Sequence, residues 1–154
     1  MGKDGVGHIN IYSKGETEVG RILSNFAHTP IHIPAGEFAS LEGYWYWMLA
    51  PNDGSREALR KMYGYKAKMV GRILCINDWP DDSKLEFEYK FKVAMRAKVE
   101  QNTEVKQLLI ESTLPFEHYY VSGKGTIIRP HNSCQWMLNE WTRLRVVFQG
   151  QAQT

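Results

Sequence analysis

The sequence has few of the features that would fix a chain in a membrane or cross-link it. Only two of its 154 residues are cysteine, Cys75 and Cys134. They match neither a CxxC redox motif nor a zinc pattern, so we expect two reduced thiols. No stretch reaches the roughly 18 apolar residues that a membrane span needs, and residues 1–13 lack the apolar segment of a secretory signal. These absences predict a cytoplasmic protein that folds by burying a core.

An excess of charge of one sign is missing as well. Nineteen Lys and Arg stand against 17 Asp and Glu, and the net charge of +2 is too small for non-specific DNA binding. Hydrophobic residues (43%) and charged residues (23%) occur at ordinary globular levels, which excludes a wholly disordered chain and a coiled coil. The unusual figure is the 12% of aromatic residues. Aromatic rings build cores, and they also stack on bases and sugars.

The common catalytic and metal-binding motifs are also absent. The sequence contains no Walker loop, no HExxH and no GxSxG. Its histidines share no spacing typical of metal ligands, so we expect neither a metal nor a cofactor. Any catalytic side chains must therefore lie outside these common motifs.

Capping residues and hydrophobic spacing predict a helix-dominated α+β fold with about five helices and a few short strands. The expected helices cover about 40–48, 56–74, 84–101, 104–110 and 133–144, and the clearest strands cover 8–13 and 126–128. Helices and strands do not alternate regularly, which excludes a doubly wound parallel sheet. We expect a single compact domain over residues 9–148, with an N-terminal tail at 1–8 and a C-terminal tail at 149–154.

One segment combines a carboxylate with a run of aromatic residues. Glu42 lies at the start of the helix expected after Ser40, next to four consecutive aromatics at 44–47. An acid in a first turn interacts favourably with the helix dipole, and the rings could simply be core. Alternatively, the rings partly desolvate Glu42 and raise the pKa of its carboxyl toward the range useful in catalysis. Both interpretations stay open at this point.

A basic group and a loop tryptophan also have two interpretations. Lys68 and Arg72 are i,i+4 neighbours on the second expected helix, with Lys66 nearby. They form either a solvated face or a clamp for a phosphate. Trp79, between Asp78 and Pro80, is either a plug on the core or a ring that stacks on a ligand.

Several short motifs follow one another in an order that resembles the NADAR superfamily (YbiA-like proteins). The motifs span nearly the whole chain, from about 9 to 147, and comprise LSNF at 23–26, Pro-Ile at 30–31, S-x-E-x-Y at 40–44, A-K-x-x-G-R at 67–72, Asp-Trp at 78–79, and Met95, Lys98 and Gln-Asn at 101–102. Each motif alone is weak, but their order and spacing are fairly specific. The chain thus resembles a divergent member with a YbiA-like fold.

The resemblance implies hydrolysis of an N-glycosidic bond. The substrate class it implies is a phosphorylated ribosyl or ADP-ribosyl compound, either a ribosylamino-pyrimidine intermediate of riboflavin synthesis or an NAD or ADP-ribose derivative, including ADP-ribosylated nucleic acid. It assigns catalysis to Glu42 and places the remaining candidates around the ligand: Trp79 as a site residue, and Asn25, Lys68 and Arg72 as binding groups. In the mechanism that these residues allow, Glu117 is a second acid, and Phe26, Tyr44 or Trp79 stacks on the base.

Two departures from the family pattern support an alternative. The histidine that follows the family's glutamate is Gly43 here, and a downstream aspartate has no clear match. The alternative is a non-catalytic module that only binds ADP-ribose or a nucleotide. A third possibility, binding of single-stranded RNA through the aromatics, is disfavoured by the near-neutral charge.

Overall fold

The structure, a computed structural model, describes residues 2–51, 54–75, 84–130 and 135–153. These residues form six α-helices, one 3₁₀ helix and six short strands, which confirms the helix-dominated α+β fold. They group into two units. The central unit is Asn25–Asn102, and the terminal unit combines Met1–Ser24 with Thr103–Thr154. Among the described helices, none is both long enough and apolar enough to cross a membrane.

The central unit begins with a two-stranded hairpin and a capped helix. Strands β2 (Ile31–Ile33) and β3 (Gly36–Phe38) pair antiparallel, with Ile31 opposite Phe38. Helix α2 (Leu41–Leu49) follows at once, because the Ser40 hydroxyl accepts a hydrogen bond from the Gly43 amide and so caps its first turn.

The second expected helix is divided in the structure. Gly54–Lys61 forms a 3₁₀ helix, and α3 runs from Gly64 to Leu74. Gly64 has a φ of 64°, a left-handed conformation that costs glycine little, and it separates the two helices. The expectation of one helix over 56–74 is therefore wrong, because the chain forms two helices that are separated at 62–63.

Helix α4 (Lys84–Gln101) completes the central unit and matches its expected bounds. The side of α4 that faces the core of the unit is formed by the buried residues Phe87, Phe91, Ala94, Met95 and Val99. At its end, the Gln101 amide accepts a hydrogen bond from the His32 N–H (2.6 Å) and donates one to the His32 carbonyl (2.8 Å). Asn102 donates to the Pro30 carbonyl. These amide side chains fasten β2 to α4.

The terminal unit is built from both ends of the chain. Strand β1 (Ile9–Asn10) pairs parallel with β4 (Phe116–Glu117), and β5 (Tyr120–Val121) pairs antiparallel with β6 (Ile127–Ile128). Its helices are α1 (Glu18–Leu23), α5 (Thr103–Glu111) and α6 (Gln135–Ala152). Their buried apolar residues include Leu23, Val105, Leu109, Trp141, Leu144 and Phe148.

Two helices of the terminal unit differ from the expectations. Helix α1 was not among the five helices expected from the sequence, and Thr17 caps it by accepting a hydrogen bond from the Gly20 amide. Helix α6 continues to Ala152, past the expected start of the C-terminal tail at 149. Gln149 holds its last turns in place by donating to the carbonyls of Ile110 and Ser112.

Candidate functional site

Glu42 lies in the first turn of α2, as the capping sequence predicts. Its backbone N–H donates to the Asn25 carbonyl at 2.9 Å, which ties the start of the helix to the 25–26 segment. The Ser40 hydroxyl, besides capping the helix, donates to the Met62 carbonyl at 2.8 Å. Three neighbouring segments of the central unit therefore fix the backbone of the helix turn that carries Glu42.

Helix α3 carries two cations near this carboxyl. Lys68, Gly71 and Arg72 are related by i, i+3 and i+4, so they lie on one face of the helix. Lys68 is half-buried, Gly71 is buried and Arg72 is exposed. Both cations act electrostatically on Glu42. The structure thus brings Glu42, Lys68 and Arg72 together, as the sequence analysis expected, while their roles remain predictions.

The pKa of the Glu42 carboxyl is higher than is usual for a glutamate. Burial raises the pKa of Glu42 to about 7, and the positive charges of Lys68 and Arg72 only partly oppose this rise. Glu42 therefore changes its charge near neutral pH, where a carboxyl can both take up and release a proton.

Tyr46 lies one helical turn after Glu42 and was not predicted as a site residue. Its ring packs directly against the backbone of α3 at Gly71, where a Cβ atom would lie only 2.1 Å from the Tyr46 Cγ. The positive charge of Arg72 acts on the Tyr46 hydroxyl and favours its ionised form. Burial and the charge of Glu42 raise the pKa of the phenol, so it stays protonated at neutral pH.

Phe26 and Asn25 lie next to this group, in the segment that precedes β2. The Lys68 Nζ lies 5.9 Å from the centre of the Phe26 ring, within the range of a cation–π contact. The Phe26 carbonyl accepts a hydrogen bond from the Gly64 amide at the start of α3. His28 and Tyr63 form an exposed pair of stacked rings, with their ring centres 4.3 Å apart.

Tyr44 does not have the position that a base-stacking residue needs. It is only 4% exposed, and its ring packs against Phe38 at 4.8 Å and lies parallel to Phe91 at 6.3 Å between ring centres. Because both faces of the ring are covered by core residues, Tyr44 stabilises the core of the central unit. The expectation that it stacks on a ligand is corrected accordingly.

Glu117, the expected second acid, belongs to the terminal unit. It lies in β4, and its Oε2 is 3.6 Å from the Nδ1 of the buried His8. The His8 Nε2 is in turn 2.5 Å from the Tyr119 hydroxyl. Glu117 is therefore part of a polar cluster in its own unit, and its catalytic role remains a prediction.

Trp79 was also expected to be a site residue. It falls within 76–83, outside the described residues, as does the Asp78 of the same motif. Among the residues that are described, no group of three or more His, Cys, Asp or Glu side chains could hold a metal ion.

The Gly43 departure has a steric reason. A Cβ at Gly43 would lie 2.5 Å from the Leu59 carbonyl oxygen and 3.1 Å from that of Met62. The end of the 3₁₀ helix therefore occupies the space that a side chain after Glu42 would need. This chain could accept the family's histidine only if that backbone moved.

We expect Gly43→Ala to destabilise the protein. Alanine normally stabilises a helix relative to glycine, but here overpacking against two carbonyls should lower the free energy of unfolding by about 1–3 kcal/mol. Gly150→Ala is the matched control, because a Cβ at this position of α6 meets nothing within 4 Å. Urea unfolding should show opposite signs for the two variants, and a stabilised Gly43→Ala would contradict the close approach.

Lys98 is a second titratable group that the motif order included without giving it a role. It lies on α4, is fully buried, and burial lowers the pKa of its amine to about 7. Its carbonyl accepts a hydrogen bond from the Asn102 side chain. A buried lysine with such a low pKa makes the stability of the protein depend on pH.

Two short-range patterns in the sequence could have revealed Tyr46. Tyr46 follows Glu42 by four residues, which places both on one side of α2. Gly71 stands between the two cations in the A-K-x-x-G-R motif, and a buried glycine in a helix often marks a close approach of another group. Read together, the two patterns indicate an aromatic ring packed at Gly71.

Comparison with known proteins supports the fold of this chain. No protein-family model matches the chain, and no curated protein matches it in sequence. The NMR structure of the Escherichia coli protein YbiA is similar to it, with a TM-score of 0.67 and 20% sequence identity. The match covers 96% of this chain and 91% of YbiA. The expected resemblance is thereby confirmed at the level of structure: this chain has the fold of YbiA.

Proposed function

We propose that the protein is an N-glycosidase that hydrolyses the bond between a base and the ribose of a phosphorylated ribosyl or ADP-ribosyl compound. The observation that supports this most directly is the half-buried Glu42 carboxyl, whose pKa is about 7, facing two cations on the neighbouring helix. The order of motifs that resembles the NADAR superfamily and the YbiA fold are consistent with it.

In the proposed reaction, the bond from ribose C1 to the base nitrogen breaks, and its electron pair leaves with the base. The sugar passes through a cation-like transition state, as in other glycoside hydrolyses. The ionised Glu42 carboxylate stabilises this cation and accepts a proton from the attacking water, whose oxygen bonds to C1. The departing base takes up a proton from the surrounding water, which balances the proton that Glu42 accepts.

The two cations of α3 are proposed to bind the anionic end of the substrate. Arg72 is exposed and offers a planar fork of donors, whereas Lys68 supplies a compact charge close to Phe26. The Phe26 ring and the exposed His28–Tyr63 pair offer stacking surfaces for the base in the same part of the chain. Such stacking is worth about 1–3 kcal/mol per base.

A non-catalytic module that binds ADP-ribose or a nucleotide is the second candidate. The observation in its favour is Gly43, where the backbone at 59–62 leaves no room for the family's histidine. In such a module, Glu42 would contribute a hydrogen-bonding carboxyl and Arg72 would bind the phosphate. The two candidates differ in whether a free base is released.

The test is incubation of the purified protein with ribosylamino-pyrimidine phosphates and with ADP-ribosylated bases and nucleic acid, followed by chromatography. Release of free base supports the N-glycosidase. Calorimetric binding of ADP-ribose or ribose 5-phosphate without any release supports the binding module. Neither release nor binding across the panel would contradict both.

We expect the rate of base release to rise with pH through about 7. The carboxylate form of Glu42 is the active form in this mechanism, and burial holds the pKa of the carboxyl at about 7. The maximal rate measured between pH 5 and 9 should therefore rise about tenfold per pH unit on its acidic limb. A rate that does not change across this range would argue against Glu42 as the base.

A further inference from the structure

The outer face of α3 carries an exposed apolar row formed by Tyr65, Met69 and Ile73. These residues recur at intervals of four, so they lie along one side of the helix. Between 46% and 73% of each of them is accessible to solvent. Tyr63, the residue before the helix, is half exposed as well. Apolar side chains that are gathered on one exposed surface, rather than scattered singly, mark a surface that interacts.

Positive charge accompanies this apolar row. Residues 58–75 contain five Lys and Arg and no Asp or Glu. The rest of the chain holds all 17 Asp and Glu and fewer Lys and Arg than that, so the positive excess of the protein lies in this one segment. Lys66 and Arg72 are exposed and flank the row, one on each side. Arg60 pairs with Glu57 at the 3₁₀ helix. An apolar row that cations flank on both sides fits a partner that is anionic and partly apolar.

The surface of an anionic lipid bilayer has this chemistry. Its headgroups offer phosphates to lysine and arginine, and the region beneath them accepts apolar and aromatic side chains. A helix with an apolar face and basic flanks lies in this interface, while its long basic side chains reach back to the headgroups. Helix α3 is of this kind, because its only charged residues are basic.

Two other anionic partners fit this face less well. A protein interface of ordinary size involves about 20–30 residues on each side, and the apolar row with its flanking cations offers far fewer. A nucleic-acid strand binds by stacking its bases on flat rings. Met69 and Ile73 have no ring, whereas both can insert between acyl chains. The composition of the row therefore favours lipid.

We propose that the outer face of α3 binds the surface of an anionic lipid bilayer, with the apolar row inserted below the headgroups and the flanking cations at the lipid phosphates. The contact is peripheral and reversible, because one short helix inserts few side chains. The proposal goes beyond the function proposed above and does not depend on it, since lipid binding requires no substrate.

The exposed apolar residues of α4 provide a matched comparison. Leu85 and Tyr89 are also four residues apart, and both are exposed. Glu86 and Glu88 lie next to them in the sequence, and an anionic surface repels such carboxylates. We therefore expect this part of α4 to contribute nothing to lipid binding.

The test is co-sedimentation of the purified protein with two kinds of vesicle, phosphatidylcholine alone and phosphatidylcholine with about 30% phosphatidylserine. At low salt, we expect the protein to bind the phosphatidylserine vesicles at least about tenfold more strongly. Raising NaCl to about 0.5 M should weaken this binding at least about fivefold, because the salt screens the headgroup charge. No binding to the phosphatidylserine vesicles, or equal binding to both kinds, would overturn the proposal.

Two double variants locate the contact on the protein. Met69→Gln/Ile73→Gln should weaken binding to the phosphatidylserine vesicles at least about tenfold, because it removes inserted apolar groups and keeps a good helix former at both positions. Leu85→Gln/Tyr89→Gln is the matched control and should bind like the unaltered protein. All four side chains are exposed, so both variants should fold, which circular dichroism checks. Equal binding by the two variants would contradict a contact through α3.

A charge reversal tests the flanking cations separately. Lys66→Glu should weaken binding to the phosphatidylserine vesicles at least about fivefold. Lys124→Glu, in the exposed turn between β5 and β6, changes the net charge equally and should have little effect. Equal effects of the two reversals would overturn the proposal, because Lys66 would then have no particular part in the contact. Binding of an acidic peptide or an oligonucleotide without any binding to vesicles would overturn it as well.

Discussion

Glu42→Gln is expected to lower the rate of base release by about 10²–10⁴-fold, the usual contribution of general acid–base catalysis. Glutamine keeps the size of the side chain and its hydrogen-bonding oxygen, so the site should stay assembled and the ligand should still bind. It cannot accept the proton of the attacking water or carry the charge that stabilises the ribosyl cation. The measurement is single-turnover release of base, with calorimetric ligand binding alongside.

The same variant should be more stable than the unaltered protein above neutral pH. The pKa of Glu42 is raised in the folded state, so its favourable contribution is complete below the unfolded pKa of about 4.5 and is lost as the pH rises through about 7. At pH 8, Glu42→Gln should therefore gain about 1–3 kcal/mol in the free energy of unfolding, allowing for the partial exposure of the side chain.

Glu18→Gln is the matched control, since Glu18 is an exposed acid in the first turn of α1. It should leave base release unchanged and should not become more stable with rising pH. A Glu42→Gln variant that keeps the full rate would remove Glu42 from the mechanism. A variant that loses the rate together with stability at pH 8 would instead indicate that Glu42 maintains the fold.

Lys98→Met should remove a strong pH dependence of stability. The buried Lys98 amine loses its proton near pH 7 in the folded protein, whereas the unfolded chain keeps it up to about pH 10.5. Between these values the unfolded state binds one more proton, so the free energy of unfolding of the unaltered protein should rise by about 1 kcal/mol per pH unit. Lys98→Met should lack this rise.

Urea unfolding between about pH 7.5 and 9.5 is the measurement, because this window lies above the pKa of Glu42 and below the unfolded pKa of lysine, and the two proteins differ in no titratable group except Lys98. Lys66→Met, at an exposed position of α3, is the control and should keep the slope. Equal slopes in the Lys98→Met variant and the unaltered protein would show that the amine stays charged in the folded state.

The parts of the site that could be predicted from the sequence depend on local spacing. Ser40 caps α2 and so places Glu42 in its first turn, and the four-residue interval puts Lys68 and Arg72 on one helix face. These relations are set within one or two turns of helix. They hold whatever the rest of the chain does.

The parts that could not be predicted depend on which distant segments pack together. Four consecutive aromatics point all round α2, and only the packing of Phe38 and Phe91 determines that Tyr44 is core. The break at Gly64 and the formation of α1 also depend on contacts between segments that are distant in the sequence. In α1, Gly20 is needed because a Cβ would lie 2.3 Å from the Asn10 carbonyl oxygen, a contact between residues that local periodicity does not relate.

The hydrogen bonds that the Gln101 amide makes with both backbone groups of His32 have a consequence for solubility. These two bonds replace those that a further strand would make with β2. Without them, the His32 N–H and carbonyl could pair with another chain. Unpaired edges of this kind are templates for aggregation. A single side chain from the end of a helix thus closes the hairpin's outer edge to intermolecular strand addition.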